Sequence, residues 1–413
     1  MPSNFEPFRV VPYLGGLRNW PSTIWLLLLP LVVVLVVVGS LLQGTVGGLT
    51  DFQPLWDVQR ALGVGNPPPS RPNFPLTRDV IDGFLIVVIC VTIPLIHRQW
   101  ILMSRVIEGL LSSGALTSKA APSLDRVRRL LRVEKVLTSV THGTPLERLI
   151  GAANRWLDKV GRSSGILVAV SFALALLIAI GPNRNGLFRA FSGDLPAETA
   201  ETWLREAYDS WWAAISHPGG FFLYVLLMAL GIYLVLIQNT VGLTAVYCLI
   251  ALSAVADFDL DWLDRDGNFG WQPVTEVFRT VVLSLVLHGS ALSLTLLALG
   301  VDNFPWVFGV VLIWIVMLPS VTLGPLYALR GLSRAAQEKR VDQLVTFFNT
   351  TPSAADPLQQ EDLRGKIVSV RAAKARPLRL RRAELPAFFV LVLLPIFLTT
   401  VQVYFSVTYG GGK

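Results

Sequence analysis

Thirty-eight positions from Gly219 to Ala256 run apolar almost without relief, then drop into Asp257, Asp259, Asp261, Asp264 and Asp266 before Gly267 and Gly270. As one helix such a run would measure about 57 Å, at about 1.5 Å per residue. A bilayer core needs only about 20 residues. Either a single helix overshoots the membrane, or the chain breaks near Gln238–Asn239–Thr240 and turns back. The topology of everything downstream hangs on that choice.

The choice arises only in a membrane protein, and the composition is that of one. Of 413 residues, 53% are hydrophobic and 15% charged, with a mean hydropathy of +0.56; a soluble domain carries about 25% charged residues. Many of the twelve tryptophans lie near the ends of apolar runs, as in the aromatic belts of a lipid interface. Cys90 and Cys248 lie far apart in sequence, so no disulfide framework is readable, and both are expected to act as small hydrophobes.

Seven apolar spans are expected: 22–42, 80–97, 165–181, 219–238 with the helix continuing to 256, 279–300, 304–326 and 385–405. The first resembles a signal peptide in charge order but is too long for one, so it is taken as an uncleaved span. The second is closed by His97, Arg98 and Trp100. Residues 44–79, with Asn66–Pro67–Pro68–Pro69 at the centre, read as loop. Within 182–218, Trp203, Trp211 and Trp212 at helical spacing suggest an amphipathic helix on the membrane surface. The Thr351–Pro352–Ser353 turn starts a linker, and the glycine-rich tail ending at Lys413 is expected to be disordered.

Charge decides the opening question. Segment 98–163 holds twelve basic residues against five acids, and 329–385 twelve against six. The positive-inside rule places both in the cytoplasm, so an even number of spans must separate them. One crossing by 219–256 leaves four spans between them and two crossings leave five. The expectation is therefore one 413-residue integral-membrane domain, an all-α polytopic helix bundle of about seven transmembrane helices. Its helical cytoplasmic extensions fall in 98–163 and 329–384, with the amino terminus cytoplasmic and the carboxyl terminus outside.

Four stretches carry a family resemblance, the last of them the segment with Val368, Arg371, Ala375, Pro377 and Leu378. The run Phe222–Ala256 passing into Asp264–Arg265–Asp266–Gly267–Asn268–Phe269–Gly270 resembles an uncharacterised family of bacterial multi-spanning inner-membrane proteins, in which a glycine-rich turn follows a long helix. Ile93–Pro94–Leu95–Ile96–His97–Arg98 and Gly324–Pro325–Leu326–Tyr327–Ala328–Leu329–Arg330 are similar as well, and the likeness extends over most of 85–405. Here Asn268–Phe269 interrupts the family's paired glycines. The resemblance implies the architecture and a bacterial inner membrane, and carries no activity.

Few residues look functional. On the fifth span Ser284, His288, Ala291 and Thr295 form one polar-and-small stripe, and on the seventh Thr399 and Gln402 continue a second. An intramembrane histidine is either a path-lining group or a neutral bond between helices. Pro319 and Pro325 mark a hinge or a static bend in the sixth span. Asp264, Asp266, Asn268 and Glu276 lie one residue out of register with an EF-hand loop, so they are read first as helix-capping acids and second as metal ligands. Arg126, Arg128, Arg129 and Arg132 fill one face of a helix started by Ser123, facing anionic head groups.

No phosphate loop, Cys/His metal spacing or catalytic triad is present in the sequence, so neither an enzyme nor a cofactor is expected. The expected partners are the bilayer and its anionic lipids, with homo-oligomerisation left open and no nucleic acid. Two functions remain: a channel or transporter for an ion or small solute lined by the last three spans, or a non-transporting scaffold or sensor docking partners or lipids through the basic segments.

Overall fold

The computed structural model describes residues 4–62, 71–118, 132–138, 143–181, 187–188, 191–192, 195, 197–260, 269–299, 329–350 and 357–372. Ser22–Leu27 forms a 3-10 stretch that leads into helix α1, Leu28–Leu42. Then come α2 (Pro54–Leu62), α3 (Val80–Ser112), strand β1 (Leu116–Ser118), α4 (Val133–Thr138), α5 (Pro145–Arg162), α6 (Ser164–Ile180) and α7 (Ala197–Asp209). They are followed by α8 (Pro218–Val255), β2 (Ala256–Phe258), α9 (Gln272–Leu299), α10 (329–350) and α11 (Pro357–Ala372).

Four helical stretches are long and apolar enough to cross a membrane: Ser22–Leu42, Val80–Ser112, Pro218–Val255 and Gln272–Ser293. Helices α5 and α6, which meet at a 56° bend, make a fifth candidate. The described chain is therefore all-α with four to five apolar spans. The expected spans 304–326 and 385–405 lie outside the described residues. Leu31, Val34 and Leu41 on α1, and Ile166 and Leu177 on α6, are more than half exposed. Water penalises apolar surface of this extent, and lipid does not.

The 38-residue run is one helix. Pro218 starts it, where a missing N–H costs nothing, and no proline follows inside. The polar triplet that suggested a break stays helical because its side chains are satisfied. Gln238 Nε2 donates to Gln99 Oε1 at 2.7 Å, Gln238 Oε1 accepts from Trp100 Nε1 at 3.0 Å, and Thr240 Oγ1 donates to the Leu236 carbonyl at 2.9 Å. Helix α8 ends where Ala256 turns extended and enters β2.

The sequence expects the second span to stop at His97. Instead α3 continues fifteen residues further, to Ser112. His97 and Trp100 are buried, and Ser22 Oγ lies 3.0 Å from His97 Nδ1. A polar residue ends a helix only when its side chain needs water, and here the fold supplies partners.

Two ties hold α3 and α8 side by side and parallel. At their C-terminal ends β1 and β2 pair antiparallel, Leu116 opposite Phe258 and Ser118 opposite Ala256. Below this clip Phe269 and Gly270 take left-handed conformations, and Ser113 Oγ donates to the Gly270 carbonyl at 3.1 Å. Trp271 is fully buried there and stacks on Phe258. Helix α10 covers the same cluster with Leu329, Leu332 and Ala336.

At the N-terminal ends a second cluster gathers Phe74, Phe188, Phe191, Trp203, Trp211 and Trp212. These tryptophans were expected on the membrane surface; Trp211 and Trp212 are instead wholly buried, and Trp203 nearly so. The reason is a buried carboxylate. Asp79 caps α3 through the Asp82 amide and accepts both indole N–H groups, Trp211 at 2.5 Å and Trp212 at 2.8 Å. A tryptophan whose N–H finds an internal acceptor has no need of the interface.

Candidate functional site: an apolar slot between three helices

Helix α9 runs antiparallel to α3, its start beside the end of α3, where Gly109 sits against Pro273. Helix α8 stands beside this pair, and the three, with Phe5, Leu149, Ile150 and Leu329 at the edge, line an open cavity of about 540 Å³. That volume is within the range of ordinary ligand sites. Its α9 wall runs from Val274 to Leu292, about 27 Å of helix, close to the roughly 30 Å thickness of a hydrocarbon core. Met103, Ile107, Leu234, Leu249, Val277 and Leu285 are typical of the lining. No Asp, Glu, Lys or Arg stands among the described wall residues.

Five polar side chains interrupt this wall: Gln99 on α3, Gln238 and Asn239 on α8, and Ser284 and His288 on α9. Counting ten residues back from Gly109 and ten forward from Pro273 brings Gln99 level with Leu283, beside Ser284. The polar groups thus form a belt partway along the slot. The Gln99–Gln238–Trp100 chain bridges α3 and α8. On α9, His288 Nδ1 lies 2.7 Å from the Ser284 carbonyl and 3.4 Å from Ser284 Oγ. A carbonyl only accepts, so Nδ1 carries the hydrogen, and in the neutral ring Nε2 remains as an acceptor.

The predicted stripe is therefore placed in part. Ser284 and His288 share the slot, and Ala291 is buried on the same helix. Thr295 lies further along α9, and its side chain is outside the described residues. Thr399, Gln402, Pro319, Pro325, Asp264, Asp266, Asn268, Arg126, Arg128 and Arg129 also lie outside them. Glu276, the remaining candidate metal ligand, accepts from Gln272 Nε2 at 2.9 Å on its own helix. Among the described residues no three His, Cys, Asp or Glu side chains gather as a metal site would require. Arg132 is exposed, at φ 55° in the turn before α4.

Sequence reasoning passed over Gln99, Gln238 and Asn239. Their signal is visible as polar residues inside apolar helices: Gln99 sits in the expected stop after His97, and Gln238–Asn239 mark the break that charge parity rejects. It also passed over a buried ionic cluster beside Asp79. Asp57 Oδ1 accepts from Arg60 at 2.8 Å and from Arg78 at 2.7 Å, and Asp57 Oδ2 accepts from Arg78 Nε at 3.0 Å. Arg78 also donates to the carbonyls of Arg71 and Asn73 and stacks on the Phe74 ring. All three charged side chains are less than a tenth exposed. Burial pulls the Arg60 guanidinium below its usual value; Arg78 adds to this and Asp57 opposes it.

This cluster ties the loop before α3 to α2 and is architectural. Replacing Asp79 by Asn is expected to cost about 1–2 kcal/mol, since one amide oxygen cannot serve two indoles and a cap amide together. Unfolding by SDS titration in mixed micelles measures it, and an unchanged midpoint would remove Asp79 from this role.

No family model, no curated protein and no solved structure matches this chain.

Proposed function

We propose that this chain is an integral membrane protein that binds, and carries, a lipid-like amphiphile in the slot between α3, α8 and α9. The observation that supports this reading is the wall itself: long, apolar and free of charged side chains among the described residues. An ion moving through it would lose its hydration with no charge or ring of oxygens among the described residues to replace the water. An extended apolar molecule loses nothing there. Its single polar end finds His288, Ser284 and Asn239 along the slot. The solute of the transport reading is thus hydrophobic rather than ionic.

The test uses the purified full-length protein in detergent, titrated with a fluorescent polyene fatty acid. Saturable binding is expected. Gly242 lines the slot, and a side chain added there meets nothing within 4 Å. Gly242→Trp should therefore fill the slot and reduce affinity by about tenfold or more, at about 25 cal/mol per Å² of displaced apolar contact. His288→Leu should weaken the fatty acid about fivefold, one hydrogen bond, and leave a plain hydrocarbon probe unaffected. Absence of saturable binding in the unaltered protein would overturn the carrier reading.

A second reading takes its support from the same dimensions. A slot one bilayer long is also where an apolar helix docks, which is the scaffold function. In that case Gly242→Trp would change the oligomeric state or the co-purifying protein, with no effect on the lipid probe.

A further inference from the structure

Helix α5 has one face held by the protein and one face left to its surroundings. Leu146, Leu149, Ile150, Ala153 and Leu157 are buried, and the N-terminal segment clamps this side. Glu6 N donates to Asn154 Oδ1, Asn154 Nδ2 donates to the Asn4 carbonyl, and the Arg9 carbonyl lies 2.3 Å from where a Cβ on Gly161 would stand. The acids of the helix are committed: Glu147 closes the capping box with Thr144, and Asp158 pairs with Arg9 at 2.7 Å.

On the opposite side Arg148, Arg155, Lys159 and Arg162 follow one another at intervals of seven, four and three residues, which stacks them on one face. Among the described residues of α5 no acid shares that face. Arg148 is half-buried and donates from Nε to the Gly143 carbonyl at 3.1 Å, while Lys159 and Arg162 are exposed. Trp156 stands on its flank, 52% exposed. Beside Trp156 a groove of about 410 Å³ opens against α8, lined by Leu149, Ala152, Leu243 and Tyr247. Leu243 is itself half exposed. One residue after α5 ends, the chain bends by 56° and becomes the apolar, outward-facing α6.

We propose that α5 is an in-plane interface helix that binds anionic phospholipid: its four cations hold head groups, and Trp156 with the groove beneath it receives part of an acyl chain. Each feature alone is common; their order is what identifies the ligand. Cations, then an amphipathic aromatic ring, then apolar groove, then a membrane-spanning helix is the sequence of polarity met on entering a bilayer leaflet. The phosphate is that of the bilayer lipid, since the groove continues the cation face into apolar surface that a soluble phosphate would not use. The groove and the slot meet at Leu149, but Trp156 and the four cations are absent from the described lining of the slot, so failure here would leave the carrier reading untouched.

Bromine on an acyl chain quenches tryptophan only at short range, which gives the test. Full-length protein is reconstituted in phosphatidylcholine nanodiscs containing a small fraction of brominated phosphatidylglycerol or, in parallel, brominated phosphatidylcholine. The difference in quenching between wild type and Trp156→Phe isolates Trp156. This difference is expected to report about fivefold or greater enrichment of the anionic lipid over the zwitterionic one, and to shrink with salt. The exposed double variant Lys159→Gln/Arg162→Gln should lower the preference while leaving thermal unfolding unchanged. Inorganic phosphate at millimolar concentration should not compete. Equal quenching by the two lipids, an unaltered preference in the double variant, or displacement by phosphate would each overturn the proposal.

Discussion

Replacing Asp57 by alanine is expected to cost about 3–5 kcal/mol, the usual consequence of stranding buried charge. Asp57 is the carboxylate between Arg60 and Arg78, and all three are sealed from solvent. Its removal leaves two guanidiniums facing each other at low dielectric. Neither can escape by losing a proton, because a guanidinium holds its charge at any working pH. The loss should therefore be constant across the neutral range, unlike that of a titrating pair.

Asp57→Asn keeps one oxygen in place and should fall between the wild type and alanine. SDS titration in mixed micelles supplies the free energies. A cost under about 1 kcal/mol for Asp57→Ala would mean that the cluster is reached by water.

Gly220→Ala should be the other severe substitution, at about 3 kcal/mol, the upper part of the usual range for overpacking. A Cβ at Gly220 would lie 2.0 Å from the Trp212 carbonyl oxygen, and backbone cannot step aside as a side chain does. Gly220 also donates its N–H to Gln43 Oε1 at the end of α1, so one position joins α1, the buried tryptophan turn and α8. Moving it disturbs Trp212, and through Trp212 the Asp79 cap. The control is Gly83→Ala on α3, where the new methyl meets nothing within 4 Å and the helix gains propensity. Gly83→Ala should be neutral or stabilising. If both alanines behave alike, the close approach at Gly220 is not what holds the three segments together.

The two substitutions bear on how much of this protein can be read without coordinates. Ser22–Leu42, the 38-residue helix and the apolar run of α9 are all visible as hydropathy. So is the polar stripe of α9, because Ser284 and His288 fall one turn apart and reach the same cavity. What hydropathy misjudges are polar residues inside apolar runs. His97 reads as a stop, and hydropathy alone leaves Gln238 open as a break until charge parity rejects it; both are internal, each satisfied by a residue far away in the chain. The tryptophans of 203–212 read as part of an amphipathic surface helix, because nothing nearby in sequence announces that Asp79 accepts the N–H groups of Trp211 and Trp212.

The sequence by itself determined that this chain is helical and suited to a membrane, because both follow from composition and from apolar runs long enough to span a bilayer. It also set where charge is dense and where it is absent. Charge parity already settled on one crossing by 219–256, and α8 is that single helix. Only the tertiary structure decided that α3 runs on past His97, that α3 and α8 run parallel under a two-stranded clip, and that an apolar slot lies between α3, α8 and α9. The physical reason is partnership. Whether a polar group ends a helix, faces water or crosses into the interior depends on an acceptor or donor that the fold brings from 75 to 139 residues away.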